Sequence, residues 1–163
     1  MQLKTGFYYI STIATSPWGE RWVQRDTNED KSMLPKPVNV QVDEAGAAQW
    51  YVEQMQVGDK QVFQISAGSV NAGPVATINQ DDKLFADISG TVPAQNWTVT
   101  ACEETCEEGV FIVEDDHGNT WQTPQGDDQD PQILPEYLVI TAIWPPKYPT
   151  YAQFKFANVD DVD

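Results

Sequence analysis

Ala48-Gln49-Trp50-Tyr51-Val52 is the stretch whose reading decides the fold, because it recurs. Ala94-Gln95-Asn96-Trp97-Thr98-Val99 and Ala152-Gln153-Phe154-Lys155-Phe156 carry the same small residue, glutamine and large aromatic. Self-similarity at such a period marks a fold built from equivalent units. The stretches that open each unit also agree: Phe7-Tyr8-Tyr9-Ile10-Ser11, Phe63-Gln64-Ile65-Ser66 and Phe111-Ile112-Val113-Glu114 each begin with an aromatic and continue with apolar residues at strand spacing. From opening to closing aromatic the separations are 43, 34 and 43 residues.

Between these markers, short runs rich in Val, Ile, Thr and aromatics alternate with clusters of Gly, Pro, Asn and Asp, and no long segment keeps apolar residues at helical spacing. Strands are expected near residues 7–12, 21–25, 38–42, 49–55, 61–66, 75–79, 83–88, 96–101, 110–114, 119–123, 137–142 and 152–157. Twelve strands in three sets of four describe an all-β chain with the β-trefoil architecture. Six strands close a barrel and six form hairpins that cap one end, which removes exposed sheet edges. Residues 1–163 then form a single domain, with repeats at about 1–58, 59–106 and 107–159. Trp50, Trp97 and Phe154 are expected in the core, each burying roughly 150 to 250 Å².

The chain has 163 residues, of which 40% are hydrophobic, enough for a real core. No run approaches the roughly 18 to 20 apolar residues of a membrane span, and Met1-Gln2-Leu3-Lys4-Thr5-Gly6 lacks the layout of a secretory signal, so cytoplasmic residence is expected. The net charge of −16 argues against binding to nucleic acid or to anionic membranes. That charge is uneven. Residues 1–36 carry Lys4, Arg21, Arg25, Lys31 and Lys36 against Glu20, Asp26, Glu29 and Asp30, a balance of +1, which leaves −17 for the remainder.

Catalysis and metal binding find little support. The single histidine lies in Asp115-Asp116-His117-Gly118-Asn119, a run with the composition of a hairpin turn. No nucleophile elbow, phosphate-cradling glycine loop or His-Glu-x-x-His pattern occurs. Cys102 and Cys106 with His117 cannot complete a zinc site of cysteine and histidine, and the acidic runs lack the spacing of a calcium loop, so no cofactor or metal is expected. A disulfide across the turn between the two cysteines is possible if the side chains converge, but without a signal peptide the reduced pair is the expectation. The glycosylation sequon Asn96-Trp97-Thr98 falls in a strand expected to be buried.

Function must therefore reside in loops. Gln24-Arg25-Asp26-Thr27-Asn28-Glu29-Asp30-Lys31-Ser32-Met33-Leu34-Pro35-Lys36-Pro37 stands out, since a cation leads it, small polar residues fill it and prolines restrict its end. Such a loop can present one side chain to a partner's pocket at low entropic cost.

This stretch, with Gly6-Phe7-Tyr8-Tyr9-Ile10 and the tryptophan that ends the first set, resembles the β-trefoil serine protease inhibitors of mushrooms, the cospin-like fungal group related to the mycocypins. The resemblance implies inhibition of trypsin-like proteases through the loop between strands two and three. Arg25 would be the primary specificity residue, and Gln24, Asp26, Thr27 and Asn28 would flank it in the contact. The partner would be a serine protease; the sequence itself requires nothing more than a monomer.

Two further loops offer alternatives. Ala67-Gly68-Ser69-Val70-Asn71-Ala72-Gly73-Pro74 matches in position the asparagine-bearing loop with which mycocypins block asparaginyl endopeptidase, and would place Asn71 in that role. Trp144-Pro145-Pro146-Lys147-Tyr148-Pro149 is a stiff segment that displays Lys147. A carbohydrate-binding trefoil is the alternative from another class, with Trp18, Trp121 and Trp144 as candidate stacking platforms.

Overall fold

The computed structural model describes residues 3–13, 21–25, 36–41, 48–67, 75–80, 83–87, 95–102, 108–124, 132–138 and 148–161. Among them are twelve strands: β1 (Gly6–Thr12), β2 (Trp22–Arg25), β3 (Lys36–Gln41), β4 (Gln49–Val57), β5 (Lys60–Ala67), β6 (Val75–Gln80), β7 (Lys83–Asp87), β8 (Thr98–Ala101), β9 (Val110–Glu114), β10 (Asn119–Gln122), β11 (Leu134–Tyr137) and β12 (Phe154–Asn158). Two short 3₁₀ turns flank the last strand, at Thr150–Ala152 and Val159–Asp161.

The pairings close a ring. β1 pairs with β4, β4 with β5, β8 with β9, β9 with β12 and β12 with β1, all antiparallel. The link from β5 to β8 is a bridge between Phe63 and Trp97, whose backbone groups exchange hydrogen bonds of 2.8 and 2.7 Å. Six strands thus form the barrel, and β2–β3, β6–β7 and β10–β11 are the hairpins of the cap. This is a β-trefoil, three four-strand units about a pseudo-threefold axis.

Side-chain chemistry repeats with the backbone. Tyr8 lies opposite Trp50, Phe63 opposite Trp97 and Phe111 opposite Phe154, so each unit closes aromatic on aromatic. In the first unit the opening residue is Tyr8, 3% exposed, rather than the expected Phe7, which is half-buried and stacks on Tyr51. Alternation along β1 allows only one of two successive aromatics to face inward.

Trp50, Trp97 and Phe154 are fully buried, as the repeat predicts. Each reaches the second strand of its own unit. The Trp50 indole donates to the Val23 carbonyl at 2.9 Å, and the Trp97 indole donates to Thr77 Oγ1 at 2.9 Å, which itself donates to the Ile65 carbonyl at 2.7 Å. In the third unit Phe154 meets Trp121 of β10 edge to face, with ring centroids 5.7 Å apart. The three contacts join the barrel to the cap.

β11 differs from its expected range, lying at Leu134–Tyr137 rather than 137–142, and residues 139–142 fall outside those described. Pro135 argues against a strand there, since it has no amide donor. It is tolerated because β11 ends the sheet path, with β10 as its strand partner, and Pro135 faces Trp121 in that ladder.

Cys102 is disulfide-bonded, which corrects the expectation of reduced cysteines; Cys106, the only other cysteine of the sequence, lies outside the described residues. β8 and β9 run antiparallel, with Ala101 opposite Phe111, and Cys102 follows at the end of that ladder.

Candidate functional site

The stretch of ten residues that begins at Asp26 separates β2 from β3 in the sequence. Asp26, Thr27 and Asn28 lie outside the described residues, as do Asn71 and Lys147. The backbone of the paired strands on either side is described. Trp22, Val23, Gln24 and Arg25 pair in register with Gln41, Val40, Asn39 and Val38. Val23, Val38 and Val40 are buried in the main hydrophobic core, so hydrophobic burial fixes one face of the stem.

The other face is polar and yet also buried. Gln24 is 3% exposed, and its neighbours across the sheet, Asn39 and Gln132, are 8% and 5% exposed. Gln24 therefore enters the structure as an interior amide beside the loop. Arg25 is the last paired residue of β2, and its backbone is held opposite Val38. Beneath them, the hydrogen bond from Trp50 to the Val23 carbonyl ties β2 to the core.

A second tie comes from outside the hairpin. The Ile133 amide donates to the Val38 carbonyl at 3.0 Å, and the Leu84 amide donates to the Ile133 carbonyl at 3.0 Å. Gln132 Nε2 donates to the Leu84 carbonyl at 2.8 Å. Val38, Leu84 and Ile133, one from each unit and all without exposed surface, thus meet in the cap. Asn39, Gln132 and Ile133 were not singled out from the sequence. An isolated polar residue in a loop-like run has no period to mark it as buried, and only the pairing across three segments does so.

The alternative loops have described borders. β5 and β6 meet at the Ala67–Val75 pair, so the segment carrying Asn71 leaves from paired strands. After Lys147, Tyr148 is half-buried against Cys102, Val110 and Ile112, and its carbonyl accepts from Gln153 Nε2 at 2.9 Å. The carbohydrate reading loses one candidate, because Trp121 is fully buried and packs edge to face on Trp97 and Phe154. Trp18 and Trp144 fall outside the described residues.

His117 occupies the β9–β10 turn. Asp115 Oδ1 accepts from the backbone amides of His117 and Asn119 at 2.8 and 2.9 Å, and Gly118 adopts a φ of 82°, a conformation suited to glycine. The imidazole is 81% exposed beside Asp116. Its surroundings are those of a solvated turn, which is the reading its sequence favours.

A shallow cavity of about 410 Å3 lies between the β4–β5 hairpin and β8, lined by Val57, Lys60, Val62, Gln95, Asn96, Thr98 and Asp116. Asn96 and Thr98 flank buried Trp97, so the sequon lines this surface rather than lying wholly in a buried strand. Nearby, burial and then the Asp115 carboxylate push the Glu114 carboxyl above its ordinary range, with Lys60 opposing them. Burial and the neighbouring Glu114 raise the Tyr148 phenol.

The family model described as Peptidase inhibitor I66 matches residues 1–158 of this chain. Among solved structures, a proteinase inhibitor from Coprinopsis cinerea is 26% identical, with 97% of this chain and 100% of that chain covered and a TM-score of 0.77. A salivary protein of the Cysteine and Tryptophan-Rich family from Culex quinquefasciatus is 13% identical, with 96% of each chain covered and a TM-score of 0.66. Cry35Ab1 is 15% identical, with 99% of this chain but 38% of that chain covered and a TM-score of 0.67. The last two likenesses concern the fold alone. No curated protein matches the sequence.

Proposed function

The chain belongs to the peptidase inhibitor I66 family, and from that membership we propose that it blocks trypsin-like serine proteases by placing Arg25 in their primary specificity pocket. As a member of an inhibitor family, it acts on a protease by obstruction and not by turnover. A guanidinium presents a planar fork of donors, which matches a carboxylate at the base of a trypsin-type pocket. Once desolvated, such a pair can dominate the energy of an interface.

The observation that carries this reading is the place of Arg25 at the end of a doubly anchored ladder. Its backbone lies opposite fully buried Val38, and β2 is tied to the core through Trp50. A stem so fixed limits the backbone freedom of Arg25 itself. If the protease cleaves after Arg25, the new ends stay close, and rejoining competes with hydrolysis. Gln24, being buried, supports the stem from within, while Asp26, Thr27 and Asn28 continue the contact on the other side of the scissile bond.

The test is titration of a trypsin-like protease with the unmodified protein and with Arg25→Ala. Loss of a central arginine contact of about 2 to 4 kcal/mol raises the inhibition constant roughly 30-fold to 1,000-fold. The thermal midpoint should stay within about 1 °C, as is usual for a change away from the core. No inhibition by the unmodified protein at micromolar concentration rejects the trypsin assignment, and undiminished inhibition by Arg25→Ala transfers the site to Lys31 or Lys147.

A further inference from the structure

The stem of the β2–β3 loop has an asymmetry. β3 must be joined to β7 for the cap to close, and among the described residues their ladder pairs Lys36 with Ala86 and Pro37 with Phe85. Pro37 has no amide hydrogen to contribute. At Val38, which lies opposite Arg25, the residue bonded across this edge is Ile133, set between β3 and β7.

Residues 132 and 133 continue the connection from there. Ile133 receives the Leu84 amide hydrogen on its carbonyl and gives its own amide hydrogen to Val38, which links β7 to β3 through one residue. Gln132 forms a bridge with Asn39 and sends its side-chain amide to the Leu84 carbonyl at 2.8 Å. The donor and its acceptor are both buried, so the bond is shielded from competing water. Gln24, Asn39 and Gln132 then form a row of interior amides across three segments, on the face of the stem opposite the core valines.

We infer that Gln132 is a positioning residue for inhibition: by clamping the end of β3 to β7 it holds the paired stem that carries Arg25. The inference rests on the reading of Arg25 given above, although the clamp itself can be measured without any protease. It acts through Asn39, Val38 and the ladder, and Gln132 makes no contact with the target. The row is one-sided by design of the topology, since the third unit provides the side chain and the first unit provides the loop.

The test replaces Gln132 with Met, which keeps the length and removes the donor, and follows amide hydrogen exchange in the full-length protein. Gln56→Met is the control, because it removes an amide that donates to Gly58 at an exposed hairpin. Losing one buried hydrogen bond is expected to speed exchange about tenfold or more in the strands Trp22–Arg25 and Lys36–Gln41, with the β4–β5 hairpin unchanged. In parallel, the inhibition constant for the protease rises about tenfold and the Arg25–Asp26 bond is hydrolysed faster. A merely structural role would speed exchange everywhere alike and leave the ratio between the two hairpins unmoved.

If Gln132→Met does not fold, Gln132→Asn, which keeps the amide but shortens its reach, takes its place. Unchanged or uniform exchange overturns the clamp, and local loosening with unaltered inhibition and cleavage overturns its part in inhibition. Absence of inhibition by the unmodified protein defeats the reading of Arg25, and in that case the exchange comparison still decides whether Gln132 holds the stem.

Discussion

Thr77→Val probes the joint between barrel and cap at its most constrained point. Thr77 has no exposed surface, and its hydroxyl serves two partners, accepting from the Trp97 indole at 2.9 Å and donating to the Ile65 carbonyl at 2.7 Å. Valine has nearly the same shape, so packing is retained and the chemistry is lost. Each buried group deprived of its partner costs about 1 to 3 kcal/mol, which makes roughly 2 to 6 kcal/mol for the two. Burying a methyl in place of the hydroxyl returns about 1 kcal/mol, leaving a net cost of about 1 to 5 kcal/mol. Urea unfolding with linear extrapolation measures it. Adding Trp97→Phe removes the orphaned donor, so the double variant should be less destabilised than the two single changes summed, by about 1 to 3 kcal/mol. The third unit provides an internal reference: the buried Trp121 indole nitrogen has no hydrogen-bond partner among the described residues. Trp121→Phe should therefore cost about 1 kcal/mol less than Trp97→Phe. A Thr77→Val cost below about 0.5 kcal/mol, or strict additivity in the cycle, would refute the account of this joint.

Further outcomes follow from charge. Asp26→Asn removes a negative charge beside the proposed scissile bond and is expected to tighten binding to a trypsin-like protease about fivefold, roughly 1 kcal/mol, read from inhibitor titration; equal or weaker binding counts against contact at this position. Glu114→Gln tests the raised carboxyl. Below the ordinary value of 4.5, Glu114 is protonated in both folded and unfolded chains and the two proteins should be equally stable. As pH rises through 4.5 the unfolded chain ionises first, so the wild type loses stability until the folded group ionises too, and at neutral pH the glutamine variant should be the more stable by less than ~1 kcal/mol, because the site is half-exposed. Thermal melts from pH 3 to 8 check this, and a constant difference across that range would contradict it. With a net charge of −16, association with a cationic protease should be about tenfold slower in high salt than in low salt, as stopped-flow mixing would reveal; a rate indifferent to salt excludes steering by the acidic surface.

What the sequence discloses is what the fold needs three times. A barrel closed by three equivalent corners requires a large ring at each, and Trp50, Trp97 and Phe154 can be recognised because each copy supports the reading of the others. Where the copies share the work unequally, the sequence misleads. Trp50 rests on Val23 and Trp97 on Thr77, whereas the smaller Phe154 meets the larger Trp121, so ring volume has moved from the closing strand to the second strand of the third unit. Read alone, Trp121 falls outside the repeat and suggests a surface platform; read with Phe154, it completes the core. Tyr8 is hidden for another reason, since Phe7-Tyr8-Tyr9 offers three aromatics in a row and only the pairing with Trp50 selects the inward one. The loop stem was the least legible part. Gln24, Asn39 and Gln132 are residue types that normally face water, and their burial depends on register across segments more than ninety residues apart. Pro37, which brings no amide hydrogen to the β3–β7 ladder, and Gln132, whose side chain reaches the Leu84 carbonyl, have no counterparts that repetition would expose. A trefoil can tolerate such departures because its core is secured by the other two units, and the stem that carries Arg25 is where these two departures meet.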